Sequence, residues 1–72
     1  MEPITVRNVS ESELRIMIEP VAGEYDIAPG ESVQLSGDIT DLQIDFGNDN
    51  FLAFWVSGDV VVLRDGVKLR PL

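Results

Sequence analysis

The run Leu14-Arg15-Ile16-Met17-Ile18-Glu19 is the clearest structural signal in this chain. Leu14, Ile16 and Ile18 alternate with Arg15, Met17 and Glu19, the period-two pattern of a strand that buries one face. A helix needs apolar residues recurring at three and four, and no window of helical length has them. The alternation repeats toward both ends. On the amino-terminal side, Ile4 and Val6 face one way and Thr5 and Arg7 the other, before a polar turn from Asn8 to Ser12.

On the carboxyl-terminal side, Pro20 to Gly23 interrupts the ladder, because proline lacks the donor a central strand needs. Tyr25 and Ile27 then point inward against Glu24 and Asp26, and Ala28-Pro29-Gly30-Glu31 has the residues of a type II turn. Val33 and Leu35 alternate with Ser32, Gln34 and Ser36 until Gly37 and Asp38 end the strand. Next, Leu42, Ile44 and Phe46 are expected to face the core, leaving Asp41, Gln43 and Asp45 as an acidic outer face.

Beyond the turn Gly47-Asn48-Asp49-Asn50, the stretch Phe51 to Val56 is almost continuously apolar. Phe51, Ala53 and Trp55 share one face and Leu52, Phe54 and Val56 the other, so the strand is either covered on both sides or turns one face to a partner. After Ser57-Gly58-Asp59, the runs Val60 to Arg64 and Val67 to Arg70 flank Asp65-Gly66, a preferred dipeptide of type I′ hairpins.

Seven or eight short strands between frequent turns predict an all-β fold, a small antiparallel β-sandwich, with a small β-barrel as the alternative. The stretch from Asn8 to Val33, with its polar turn, alternating strand and Pro29-Gly30, resembles the opening strands of immunoglobulin-like sandwiches. That resemblance covers about a third of the chain and implies an immunoglobulin-like or similar sandwich.

With 72 residues, positions 1–72 are expected to form a single small β-domain. Ordering such a chain costs on the order of 100 kcal/mol, which apolar burial has to offset without help from disulfides. The 44% hydrophobic content is sufficient for a dense core. Cysteine and histidine are both absent, which removes thiol and imidazole nucleophiles, the usual general base and the usual transition-metal ligands. No catalytic residue, cofactor or metal is therefore expected. The six glycines lie singly at strand junctions, so no phosphate-cradling loop is present. The amino terminus lacks the pattern of a signal peptide, and Phe51 to Val56 is far too short to span a membrane, so a cytoplasmic protein without membrane contact is expected.

The net charge of −8 argues against direct nucleic-acid binding, since phosphate backbones would be repelled. From Asn8 to Leu63 the only cation is Arg15, and Arg64, Lys68 and Arg70 crowd the end. Arg7, Lys68 and Arg70 would gather if the first and last strands were close. Glu11, Glu13, Glu19, Glu24, Asp26, Asp38, Asp41 and Asp45 would form one acidic field if their strands lay side by side.

Two local motifs have a bland reading beside a sharper one. Asp45-Phe46-Gly47-Asn48-Asp49-Asn50 offers oxygen ligands of the kind Ca²⁺ accepts, but it lacks EF-hand spacing and its residues are those of an ordinary turn. Asn8-Val9-Ser10 matches a glycosylation triplet of a kind that arises often by chance.

The expected function is non-catalytic: a small acidic β-domain that binds a protein partner through its acidic face or through the Phe51 to Val56 strand. Glu24, Asp26, Asp41 and Asp45 are the candidate contacts on the first, and Phe54 and Trp55 on the second, with Trp55 as the anchor. The alternative is a structural, self-associating subunit that uses an exposed strand edge. A carbohydrate-binding or minor enzymatic role would need a concave pocket joining two carboxylates and an aromatic.

Overall fold

The computed structural model describes residues 3–20, 23–47 and 49–72. Eight strands follow in order: β1 (Ile4–Arg7), β2 (Leu14–Glu19), β3 (Gly23–Ile27), β4 (Ser32–Gly37), β5 (Gln43–Gly47), β6 (Phe51–Trp55), β7 (Val60–Arg64) and β8 (Val67–Lys68). They form two four-stranded sheets, β1-β4-β7-β8 and β3-β2-β6-β5, packed face to face as a small β-sandwich. The barrel alternative is not realised, since neither sheet closes on the other. Among the described residues there is no helix long and apolar enough to cross a membrane.

The first sheet is antiparallel throughout, but β2 and β6 run parallel, pairing Ile16 with Leu52 and Ile18 with Phe54. The expected antiparallel sandwich is thus present, with β2–β6 as a parallel pair that makes the second sheet mixed. Tight local connections link β2 to β3, β5 to β6 and β7 to β8, and the other links cross between sheets. Crossing links let β6 arrive beside β2 in the same direction, as parallel neighbours require.

The two turns assigned a type from the sequence are present. Glu31 N–H donates to the Ala28 carbonyl at 3.0 Å with Gly30 at φ 81°, as a type II turn demands. Asp65 and Gly66 have φ of 51° and 79°, matching a type I′ connection between β7 and β8.

The core fills with the alternating residues of both sheets: Leu14, Ile16 and Ile18 from β2, Phe54 from β6, Val33 and Leu35 from β4, and Val62 from β7. Ile16, Ile27 and Leu35 are completely excluded from water, and each such side chain contributes about 2–3 kcal/mol of burial free energy. Ile39, in the link from β4 to β5, also joins the core, although no alternation marks it.

Asn8 is the one buried polar residue among those described. Its amide donates to the carbonyls of Ile27 and Ser12, both at 2.8 Å, and its side-chain oxygen accepts from the backbone N–H and hydroxyl of Ser10. The glycosylation triplet therefore holds an amide nitrogen already committed to the fold.

The strand β5 departs from the expected pattern. Ile44 and Phe46 pair with Phe54 and Leu52 and lie on the core-facing side, yet they are 51% and 78% exposed. Leu42, just before the strand, is 38% exposed. β5 is an edge strand, and nothing in the other sheet covers its inward face. The expectation that these three side chains belong to the core is overturned by their position at the rim.

Arg7 and Lys68 do not meet, because β1 and β8 are the opposite edges of their sheet. Both lie instead on strands that carry no carboxylate at all, whereas the strands of the other sheet carry Glu19, Glu24, Asp26 and Asp45. Charge is segregated between the two sheets.

Candidate functional site

The outer face of the β3-β2-β6-β5 sheet holds the largest concentration of the residues singled out above. Its register sets three rows across the strands: Asp26, Arg15, Phe51 and Gly47; then Glu24, Met17, Ala53 and Asp45; then Glu19, Trp55 and Gln43. Because side chains alternate along a strand, every member of these rows points away from the core. An apolar stripe of Met17, Phe51, Ala53 and Trp55 runs down the middle, with carboxylates on both flanks.

Trp55 is 43% exposed, and its indole N–H donates to Asp45 Oδ2 at 3.0 Å. The other carboxylate oxygen of Asp45 accepts from Gln43 Nε2 at 3.2 Å. Asp45 is thus held between two donors, and in turn anchors the partly exposed indole by its N–H. On the far flank, Arg15 donates twice to Asp26, from Nε at 2.8 Å and Nη2 at 3.1 Å, and lies 3.5 Å from Glu24. The Arg15 hydrogen bond holds the Asp26 carboxyl below its ordinary range, and the pairing raises the guanidinium further above its own. Arg15 is the only cation on these four strands, and its charge is spent on that flank.

The six candidate contacts divide. Glu24, Asp26, Asp45 and Trp55 come together on this face. Phe54 does not, since it is 2% exposed and packs in the core; its neighbour on the chain takes the outer side. Asp41 lies before β5 rather than within it, with φ at 51°, and its carboxylate accepts from the Ser57 hydroxyl at 3.3 Å. It belongs to a clasp in which Thr40 and Ser57 exchange backbone and side-chain hydrogen bonds between two crossing loops. Of the wider acidic field, Glu11 and Glu13 sit in the link from β1 to β2, and Asp38 in the link from β4 to β5.

The turn considered for Ca²⁺ lies partly outside the described residues, at Asn48. Asp45 is engaged with Trp55 and Gln43, and the Asn50 amide reaches back to the hydroxyls of Ser10 and Ser12 at 2.8 and 2.7 Å. Among the described residues no three acidic side chains gather in a metal-binding arrangement. A polar hollow of about 250 Å³ lies at the same end of the sandwich, lined by Gly30, Glu31, Ser32, Arg64 and Asp65. It joins two carboxylates but no aromatic ring. Arg64 there reaches Glu31 at 3.8 Å and the Asp26 carbonyl at 3.4 Å, contacts that tie β7 to β3 and to the turn that follows it.

The pairing of Trp55 with Asp45 was not predicted from sequence, although a diagonal contact follows once the register is known. Comparison with known proteins returns no matching family model, no matching curated protein and no matching solved structure.

Proposed function

We propose that this chain is a non-catalytic docking domain that takes a basic segment of a protein partner on the outer face of the β3-β2-β6-β5 sheet. The supporting observation is the Trp55 indole, bonded to Asp45 and partly exposed on a sheet face that also carries Glu19, Glu24 and Asp26. A lysine or arginine laid over that ring gains about 0.5–2 kcal/mol from the cation–π contact. The neighbouring carboxylates steer such a segment toward the face and raise its rate of encounter. The net charge of −8 that attracts a basic protein repels nucleic acid, and the reading goes with a cytoplasmic setting, no cofactor and no membrane contact.

A peptide of alternating lysine and glycine tests the proposal, with emission from the chain's single tryptophan as the signal. The expected result is a saturable change at low ionic strength that weakens steeply with salt. Calorimetry on Asp45→Asn should show a larger loss of affinity than on Asp59→Asn, which removes the same charge from the link between β6 and β7. Absence of saturable binding at low salt, or equal losses in the two variants, overturns the reading.

A further inference from the structure

We propose that the free edge of β5 pairs antiparallel with β5 of a second copy, about a two-fold axis at Ile44, to form a homodimer with one continuous eight-stranded sheet. The four sheet edges differ in how they are protected, and β5 alone is left open. β8 is only two residues long. β1 presents the charged Arg7 and the polar Thr5. The edge of β3 is partly occupied by the chain terminus, where Leu72 N–H donates to the Glu24 carbonyl at 2.8 Å. β5 is five residues long, contains neither proline nor lysine, and exposes Ile44 and Phe46. Short length, inserted charge and coverage are the ordinary means of blocking edge pairing, and β5 uses none on its inward face.

The partner is identified by the residue register. With Ile44 opposite its own copy, Gln43 falls opposite Asp45 on the outer face, in both directions, and Leu42 falls opposite Phe46 on the inner face. Each amide then meets a carboxylate and each exposed apolar side chain meets another. Of the two neighbouring symmetric registers, one puts Asp45 against itself and the other puts Asp41 against Asp45, like-charge pairs that are destabilising. A shift by one residue exchanges the two faces. One register therefore satisfies both faces of the strand, with a second copy of the same sequence as the complementary partner.

Specific interfaces commonly bury about 800 Å² per partner, roughly a sixth of this chain's 4757 Å² surface, and one edge strand supplies only part of that. The dimer is accordingly expected to form in the micromolar range rather than below it. Because each copy carries a charge of −8, salt should strengthen the association, opposite to its effect on a basic partner at the outer face. The two proposals can therefore fail independently.

Sedimentation over a wide concentration range, at low and high salt, measures the association directly. The expected result is a reversible monomer–dimer equilibrium, favoured by salt and abolished by Ile44→Lys, which places two cations face to face. As the chain has no cysteine, Ile44→Cys gives an unambiguous second readout. It should form a disulfide-linked dimer at least ten-fold faster than Val9→Cys, whose side chain is more exposed but lies outside the strand. A monomer at every concentration and salt, assemblies larger than two, or crosslinking no faster at position 44 than at position 9 would overturn the proposal.

Discussion

The indole nitrogen of Trp55 lies 3.0 Å from Asp45 Oδ2, across the boundary between β6 and β5 and diagonal to the direct pairs Trp55–Gln43 and Ala53–Asp45. An aromatic ring with its polar atom already bonded loses little freedom when a ligand stacks on it, which is why the contact organises the face. Removing the carboxylate with Asp45→Ala should cost no more than about 1 kcal/mol of stability, the ordinary net worth of one exposed hydrogen bond. The indole should then sample more orientations, seen as red-shifted emission and easier quenching by acrylamide. Unchanged emission would mean that packing, not Asp45, holds the ring.

Asn8 connects the end of β1 to the carbonyl of Ile27, the last residue of β3. Asn8→Ala takes this donor from the buried Ile27 carbonyl and should cost about 1–3 kcal/mol, a large share of the stability of a domain this small. Urea denaturation would measure it, and a loss under 0.5 kcal/mol would show that water replaces the amide at no penalty.

A Cβ added at Gly58 would lie 1.9 Å from the Asp38 carbonyl oxygen, where two crossing loops approach backbone to backbone. No side-chain rotation relieves that overlap. Gly58→Ala should therefore destabilise the fold by about 3 kcal/mol or more, as a lower urea midpoint, whereas exposed Gly30, with open space around it, is limited only by its φ of 81°.

Arg15 depresses the Asp26 pKa in the folded chain, so the carboxylate binds its proton less readily there than in the unfolded chain. Stability from this pair is fully present above the ordinary carboxylate range and is lost as the pH falls below about 4. Both side chains are partly exposed, so solvent screening keeps the effect small. Asp26→Asn should reduce stability slightly at neutral pH and converge with the unsubstituted chain in acid. A constant difference across that range would contradict the linkage.

Ile16 and Phe46 have the same place in the alternating pattern and opposite fates in the fold. Ile16→Ala should cost about 2–5 kcal/mol, while Phe46→Ala in dilute solution should change stability by less than about 0.5 kcal/mol. Thermal or urea unfolding at low concentration compares them directly.

That contrast separates what was legible in the sequence from what was not. Strand positions, the Asp65-Gly66 hairpin and the type II turn at Pro29-Gly30 depend on each residue's own backbone preferences and nearest neighbours, so alternation and turn chemistry revealed them. Most of the core followed as well, because Leu14, Ile16, Ile18, Val33 and Leu35 lie on strands covered by the opposing sheet. The sequence also determined the acidity of the middle of the chain and the absence of imidazole and thiol chemistry.

Only the tertiary structure decided which apolar face meets a neighbour. Phe54 and Trp55 are adjacent in sequence and equally apolar, yet one enters the core and the other lies outside beside Asp45. Ile44 and Phe46 repeat the rhythm of a core strand at a rim where no second layer reaches them. Coverage is a property of strand order, set by contacts between residues far apart in the chain, and a local pattern of side chains does not carry that information.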